Sequence, residues 1–430
     1  MTTAATAIAS PRTVASPWID VDPLAPSDHR DLVEQAIFQC GKWDPQVGDV
    51  SVLAPYPLVL RAEAWQTVAR LAERLASELD AAEAALLDRP DRLKRLALPR
   101  SIRRTLAGAG RRNASPGPSR VIRFDFHWTA DGWRISEANC DVPGGFNEAS
   151  GLTRRVAAYY AGYAPTGDPV ERMADEIVAV AGPGARVALV HATAYSDDRQ
   201  VVAYLARRWA ERGLDAVEVA PDHLRWDHGT ARLVEPWPQQ PLDLVYRFFP
   251  AEWLPDLPRS CRWRHYFAGS RTPMVNPGSA LVVQSKRLPL AWDGLPVAFP
   301  TWRQLLPETV DPASLGERWD ASWVLKPAFG RVGDGVGMDG ATPPGEWALI
   351  RRSARRHPEF WVAQRRFDTL PLCRQGRLVY PCLGVYTVGG GAAGAYGRLS
   401  STPRIDQHAT EAAVLVEPSS AAQTHGGHLP

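Results

Sequence analysis

The chain has 430 residues, 45% of them hydrophobic and 22% charged, with a formal net charge of +2. That balance excludes disordered and fibrous classes, and a charge so small and dispersed leaves no electrostatic footprint for nucleic acid or an anionic membrane. Five cysteines (Cys40, Cys140, Cys261, Cys373 and Cys382) are odd in number, scattered and without a CxxC pair, which argues against a disulfide framework or a zinc site and points to a reducing cytoplasm.

A chain of this length divides into two or three domains. Residues 1–17 lack a continuous apolar signal core and read as a flexible tail. Residues 60–95 carry helical periodicity rich in Ala, Leu, Glu and Arg, so 18–115 reads as a mostly helical region ending in the linker "GAGRRNASPGPS". The arginine-rich run from Arg89 to Arg112 reads as a solvated helix face and linker. No run of about eighteen apolar residues occurs, so no membrane span is expected.

The next stretch, "VIRFDFHWTADGWRISEANCDVPGG" at 121–145, is the most informative. Ile122, Phe124, Phe126 and Trp128 alternate with Arg123, Asp125 and His127, the period of a half-buried strand. A second run, 133–140, follows after Ala130-Asp131-Gly132, which fits a three-residue hairpin loop closed by a left-handed glycine. That loop pairs Thr129 with Trp133 and, counting back, Asp125 with Glu137 and Arg123 with Asn139. Carboxylates opposite one another repel. They are tolerated in solvent, or they need a cation between them, and Asp, Glu and an Asn carbonyl are the hard oxygen donors magnesium prefers. Taken alone, the segment also reads as the solvated polar face of a hairpin, the simpler explanation. Cys140 beside it reads as a small buried hydrophobe.

"NEASGLTRRVAAYYAGY" reads as a helix packed behind the hairpin. The runs Val187–Val190 and Ala216–Val219 flank an amphipathic helix ending near Gly213, and "DLVYRFF" adds a further strand, so 181–275 reads as a parallel α/β unit. It carries no GxGxxG. From 276 the pattern becomes mixed α+β: "SWVLKPAFGRVGDGVGM" reads as a buried strand, a loop with Gly330, Gly333, Gly335 and Gly337, and a return. "FWVAQRRF" and "YPCLGVYTVGGGAAGAYGRLSS" supply more strands, the latter a hairpin about Gly389-Gly390-Gly391. Residues 417–430 read as a second flexible tail. His127 and His191 read as surface or core residues.

Only four lysines occur among the 49 basic residues. Lys286 lies in "NPGSALVVQSKRLPLAW", and Lys326 ends the strand before the glycine-rich loop. A compact ammonium fits between phosphate oxygens as a planar guanidinium does not, and glycines let backbone N–H groups approach phosphate. Metal ligands, phosphate cations and a backbone cover are together the parts of a magnesium-nucleotide site. GxxxxGK[ST] is absent, and so is the kinase set of HRD and DFG: an HRD triplet stands at 29–31, but no Asn completes a catalytic loop after it and no DFG occurs anywhere, which excludes a P-loop and a protein kinase.

The ordered set "RFDF", "SEANCDVPGG", "VNPGSALVVQSKRLPLAW", "WVLKPAFGRVGDGV", "WVAQRRF" and "GAAGAYGRLSS", spanning roughly 120–415, resembles the circularly permuted, glutathionylspermidine synthase-like branch of the ATP-grasp superfamily. As in that branch, the Glu-x-Asn strand precedes both lysines. The resemblance implies a mixed α/β and α+β chain: hairpin and helix of the ATP-grasp part at 116–180, a parallel α/β pre-ATP-grasp-like subdomain at 181–275 and nucleotide-binding lobes at 276–416. It further implies Asp125, Glu137 and Asn139 as Mg2+ ligands, and Lys286 and Lys326 on the phosphates of ATP. Gly330, Arg331, Gly333 and Gly335 would form the flap, and Gln364 would lie near adenine. Arg123 and Arg398 would neutralise the transferred phosphoryl group. The implied reaction joins a small carboxylate to an amine through an acyl-phosphate, releasing ADP and phosphate in the cytoplasm, with neither nucleic acid nor membrane as partner.

Where the branch usually has hydroxyl or thiol donors after the Asn, this chain has Val142 and Gly144, so the resemblance names neither glutathione nor spermidine as substrate. No amidase part is expected ahead of the synthetase, and 1–110 match no motif. A non-catalytic ATP-binding protein and a phosphotransferase stand as the alternatives.

Overall fold

The computed structural model describes residues 15–418 apart from 48–49, 110–119, 235, 237–238, 317–318 and 331–332. The expected tails therefore lie outside the described residues except for 15–17 and 417–418, as does the linker except for 108–109, which end a helix. Strands used below are β1 (Trp18–Ile19), β2 (Leu58–Leu60), β3 (Val121–Thr129), β4 (Gly132–Asn139), β5 (Arg186–His191), β6 (Asp215–Val219), β7 (Leu244–Phe248), β8 (Met274–Val275), β9 (Thr309–Val310), β10 (Trp323–Pro327), β11 (Gly337–Met338), β12 (Trp361–Arg365), β13 (Arg377–Val388), β14 (Gly391–Ser400) and β15 (Thr410–Val416). Helices are α1 (Pro26–Cys40), α2 (Ala62–Leu87), α3 (Arg100–Ala109), α4 (Pro169–Ala181), α5 (Ser196–Glu211) and α6 (Pro344–Arg356).

The largest sheet runs β1-β2-β15-β14-β13-β3-β4, with Leu372–Arg374 and Ala164–Pro165 paired onto β13 and β15. Its neighbours are antiparallel except β15 and β2, which run parallel. The hairpin at 121–139 is thus completed by strands from 377–416, and of the intervening chain only the short strands Ala164–Pro165 and Leu372–Arg374 pair onto the same sheet among the described residues. Two strands of the region expected to be mostly helical, β1 and β2, join the same sheet.

Alternation assigns its two faces. Phe124, Phe126, Leu383, Val385, Ala395 and Val414 pack with α2 in the principal core. Each fully buried large apolar side chain there contributes roughly 1.5–3 kcal/mol. The intervening residues, Arg123, Asp125 and Arg398 among them, line a cavity on the opposite face. Long α2 serves this face because its buried positions Val68, Ala72, Leu75, Leu79, Ala82 and Leu86 repeat every three to four residues.

The parallel sheet, order β8-β7-β5-β6, is flanked by α4 and α5. It is locked to the hairpin by Asn276, whose side chain accepts from Val121 N at 3.0 Å and donates to Val121 O at 2.8 Å. A third sheet, β9-β12-β10-β11, is antiparallel and backed by α6. The helix expected at "NEASGLTRRVAAYYAGY" is a π-helical turn, Asn147–Leu152, running into the short helix Thr153–Ala157.

Candidate active site

The β3–β4 hairpin differs from the sequence reading at its turn. Gly132 has φ +95, as a closing glycine should, yet it pairs with Thr129, and Trp133 pairs with Trp128. The turn is one residue shorter than expected. An extra residue, Ser136, then bulges from β4, and the pairs Asp125–Glu137 and Arg123–Asn139 are restored. The reason lies in parity: Trp133 and Ile135 are buried in the core, while Glu137 and Asn139, of the same parity, line the cavity or its neighbour. Without a bulge, all four would share one face. The bulge also leaves the Ser136 carbonyl out of the ladder, where it accepts from Lys326 Nζ at 2.9 Å.

Each of the facing carboxylates carries its own cation. Arg123 grips Asp125 in bidentate fashion, Nε to Oδ1 at 2.8 Å and Nη2 to Oδ2 at 3.1 Å, and Asn139 Nδ2 donates to Asp125 Oδ2 at 3.3 Å. Lys286 Nζ lies 2.9 Å from Glu137 Oε2 and 3.5 Å from the Gly330 carbonyl. Burial alone would push the Glu137 carboxyl up, but Lys286, Lys326 and Arg123 outweigh it and hold it at about 2. Arg123 also lies over the Tyr396 ring, 5.4 Å from its centroid. That placement requires Gly384 between them, since a Cβ there would stand 2.7 Å from Tyr396 Cε1 and 3.0 Å from Arg123 Cδ.

Lys326 is fixed by Ser136 and by Gln364, whose Oε1 accepts at 2.7 Å and whose Nε2 donates to Thr309 at 3.1 Å. Burial, aided by Lys286 and opposed by Glu137, lowers the ammonium to about 8. His127, 5% exposed, sits between Ser136 Oγ (3.1 Å) and Thr369 Oγ1 (3.4 Å), and burial with nearby Lys326 keeps it neutral, at about 3. Cys382 lines the same cavity. Burial, followed by Asp125, raises its thiol well above the ordinary value, so it is a poor nucleophile.

A single cavity of about 410 Å³ connects these groups to a second charged cluster. Lys42, just beyond α1, places Nζ 2.9 Å from Glu148, 2.9 Å from Glu411 and 3.3 Å from Asp44. Burial disfavours its charge, but the three acids raise its proton affinity. Glu148, which burial would raise, is held low by Lys42. Glu411 is raised to about 8 by burial and then by Glu148, against Lys42. Asp197 and Asp198, in the first turn of α5, line the same cavity.

Of the residues singled out from sequence, Arg123, Asp125, Glu137, Asn139, Lys326, Gly333, Gln364 and Arg398 line the cavity. Lys286 enters from a small adjoining pocket that also touches Glu137, Lys326 and Gln364. Gly330 meets Lys286, and Gly335 packs near Pro327 rather than on the cavity. Arg331 lies outside the described residues. Gln364 pairs with Val324 and Thr309 on neighbouring strands and points its amide at Lys326. Sequence reasoning missed Lys42, Glu148 and Glu411. The scarcity of lysine, applied to Lys42 as it was to Lys286 and Lys326, would have flagged the first.

Arg247, buried in the parallel sheet, holds the start of the loop after Asn139: its Nη2 donates to Asp141 Oδ1 at 2.5 Å and its Nε to Asn276 O at 2.8 Å. The loop then turns at Gly145, whose φ of +90 disfavours a side chain and where a Cβ would stand 2.6 Å from Tyr386 Oη.

The family described as glutathionylspermidine synthase preATP-grasp matches residues 57–414. A glutathione synthetase-like effector from Globodera pallida, in its apo form, superposes with a TM-score of 0.57 at 13% identity, covering 91% of this chain and 99% of its own. A protein of Methylobacillus flagellatus KT, described provisionally as a gamma-glutamylcysteine synthetase, gives a TM-score of 0.43 at 12% identity over 79% and 88% of the two chains. No curated protein matches in sequence.

Proposed function

The chain belongs to the glutathionylspermidine synthase preATP-grasp family, and from that premise we propose that it is an ATP-dependent carboxylate–amine ligase, working in the cytoplasm, that forms an amide through an acyl-phosphate and releases ADP and phosphate. Among the described residues no helix is long and apolar enough to cross a membrane. The observation that carries the reading is the meeting of two lysines from 276–416 with the oxygens of the 121–139 hairpin: Lys286 on Glu137, and Lys326 on Ser136, 190 residues away.

The donor set suits the cofactor. Among the described residues no three His, Cys, Asp or Glu side chains gather into a metal cage. Magnesium usually keeps one or two carboxylates and takes its remaining oxygens from phosphate and water, which is what Asp125, Glu137 and Asn139 would provide. Bound there with ATP, Mg2+ would neutralise phosphate oxygens.

The chain's own groups divide the remaining work. Lys286 and Lys326 would exchange their present partners for phosphate oxygens, and the backbone at Gly330, Gly333 and Gly335, with Arg331, would cover them. Gln364 would stand beside the nucleotide. Arg123 on β3 and Arg398 on β14, two strands that flank β13 and converge on the cavity, would offset the charge that builds on the phosphoryl group as the substrate carboxylate attacks it. Asp125 holds the Arg123 fork in place. Positioning and charge neutralisation therefore supply the catalysis, and the raised thiol of Cys382 agrees with a mechanism that uses no covalent nucleophile from the protein. The test is a screen of small carboxylates (amino acids, peptides) against amines (amino acids, polyamines): ADP and phosphate should appear only when both are present. AMP and pyrophosphate, or tight ATP binding with no turnover on any pair, would refute it.

A further inference from the structure

We infer that Glu411 is the group that takes the proton from the ammonium of the amine substrate, so that a neutral amine meets the acyl-phosphate. This rests on the ligase reading. An amine in water near neutral pH is an ammonium ion with no free lone pair, and no group described so far removes its proton.

The geometry singles out Glu411. On β15 it pairs in register with Arg398 on β14, which pairs with Cys382 on β13, so it stands one strand from the arginine proposed to face the acyl-phosphate. It lines the same cavity. Its side chain is 20% exposed against 6% for Glu148, so it is the more open member of the pair that shares Lys42. Around it stand Lys42 and Asp44 beyond α1, Glu148 in the π-helical turn, and Arg398 and Tyr396 on β14. Two carboxylates sharing one ammonium do not both ionise freely. Glu148 keeps the charge, and Glu411, at about 8, exchanges its proton in the neutral range where a general base is most effective.

The step balances. One N–H proton passes to a Glu411 carboxylate oxygen, and the freed lone pair forms the C–N bond at the acyl carbon. The bond from that carbon to the bridging phosphate oxygen breaks, the second N–H proton leaves with hydrogen phosphate, and Glu411 returns its proton to water.

Hydroxylamine, uncharged at neutral pH, needs no such base, and this separates the inference from the reading beneath it. Wild type, Glu411→Gln and Glu148→Gln are assayed with ATP, magnesium and a carboxylate panel of amino acids, gamma-glutamylcysteine and glutathione, using either hydroxylamine or amino acids and spermidine as the amine. Glu411→Gln should form hydroxamate within about threefold of wild type and lose amide formation by roughly 10²–10⁴-fold. Glu148→Gln, which removes the like charge beside Glu411, should move the pH profile of amide formation downward while leaving that of hydroxamate formation in place. Equal loss of hydroxamate and amide in Glu411→Gln, or loss of neither, overturns the inference. Should Glu411→Gln fail to fold, an unmoved profile in Glu148→Gln overturns it. Wild type giving no hydroxamate and no ADP with any carboxylate withdraws the ligase reading, and this inference with it.

Discussion

The two ends of the cavity balance charge in opposite ways. Where the hairpin meets Lys286 and Lys326, each acid has a cation of its own: Asp125 has Arg123, Glu137 has Lys286, Lys326 is held by the Ser136 carbonyl and the Gln364 amide oxygen, and Arg398 donates to the Asp406 carbonyl. At the other end, Glu148, Glu411 and Asp44 share Lys42. Excess positive charge suits phosphate, and excess negative charge suits an ammonium. The lesson is that a cavity can hold two substrates of opposite charge without mixing their sites when separate segments of chain supply each end.

The largest effect is expected from removing the shared cation. Lys42→Met leaves Glu148 and Glu411 together in a buried site, and denaturant unfolding should show a loss of about 3–5 kcal/mol. Adding Glu148→Gln should recover part of it. A Lys42→Met protein as stable as wild type would erase the contrast between the two ends.

Next come the phosphate lysines. Lys286→Met and Lys326→Met should each lower the rate of ADP release by roughly 10²–10³-fold in steady-state assays. An equal loss from the charge-conserving Lys286→Arg would sharpen the point, since a planar guanidinium does not replace a compact ammonium.

A smaller effect is expected at the loop that joins the ends. Gly145→Ala introduces a Cβ at φ +90, 2.6 Å from the Tyr386 hydroxyl, and should cost about 1–3 kcal/mol in unfolding free energy. An unchanged midpoint would mean that Tyr386 moves freely.

The smallest effect is in pH. Burial lowers Lys326 to about 8, so its ammonium is complete below that value and is lost as pH rises through it. A bound triphosphate favours the charged form. ATP affinity should therefore fall above pH 8, by at most about tenfold per unit, with proton uptake on binding measurable by calorimetry in buffers of different ionisation heat. Affinity flat across that range would mean that Lys326 does not touch phosphate.

Much of the first end was legible in the sequence because its residues lie in short motifs with a local physical reason: alternation in 122–129, a lone lysine before glycines, an Asp and a Glu brought opposite by a hairpin. The opposite pairing of Asp125 and Glu137 was reached through the wrong turn. The tertiary demand to bury Trp133 and Ile135 shortened the loop, and the Ser136 bulge corrected the count. The second end was illegible for a different reason. Lys42, Glu148 and Glu411 come from three distant segments; the rarity of lysine marks only Lys42, the two glutamates are unremarkable alone, and only the closing of β15 against β14 and the turn after α1 bring the three together. The parallel sheet was recognisable from its apolar runs. Its role in fixing Asp141 through buried Arg247 was not, because nothing in "DLVYRFF" marks that arginine as buried.

The most direct measurement follows an oxygen atom. If the substrate carboxylate attacks the γ-phosphate, carboxylate labelled with heavy oxygen must leave one labelled atom in the inorganic phosphate released during amide formation. Label in AMP, or phosphate free of label while amide accumulates, would contradict the account.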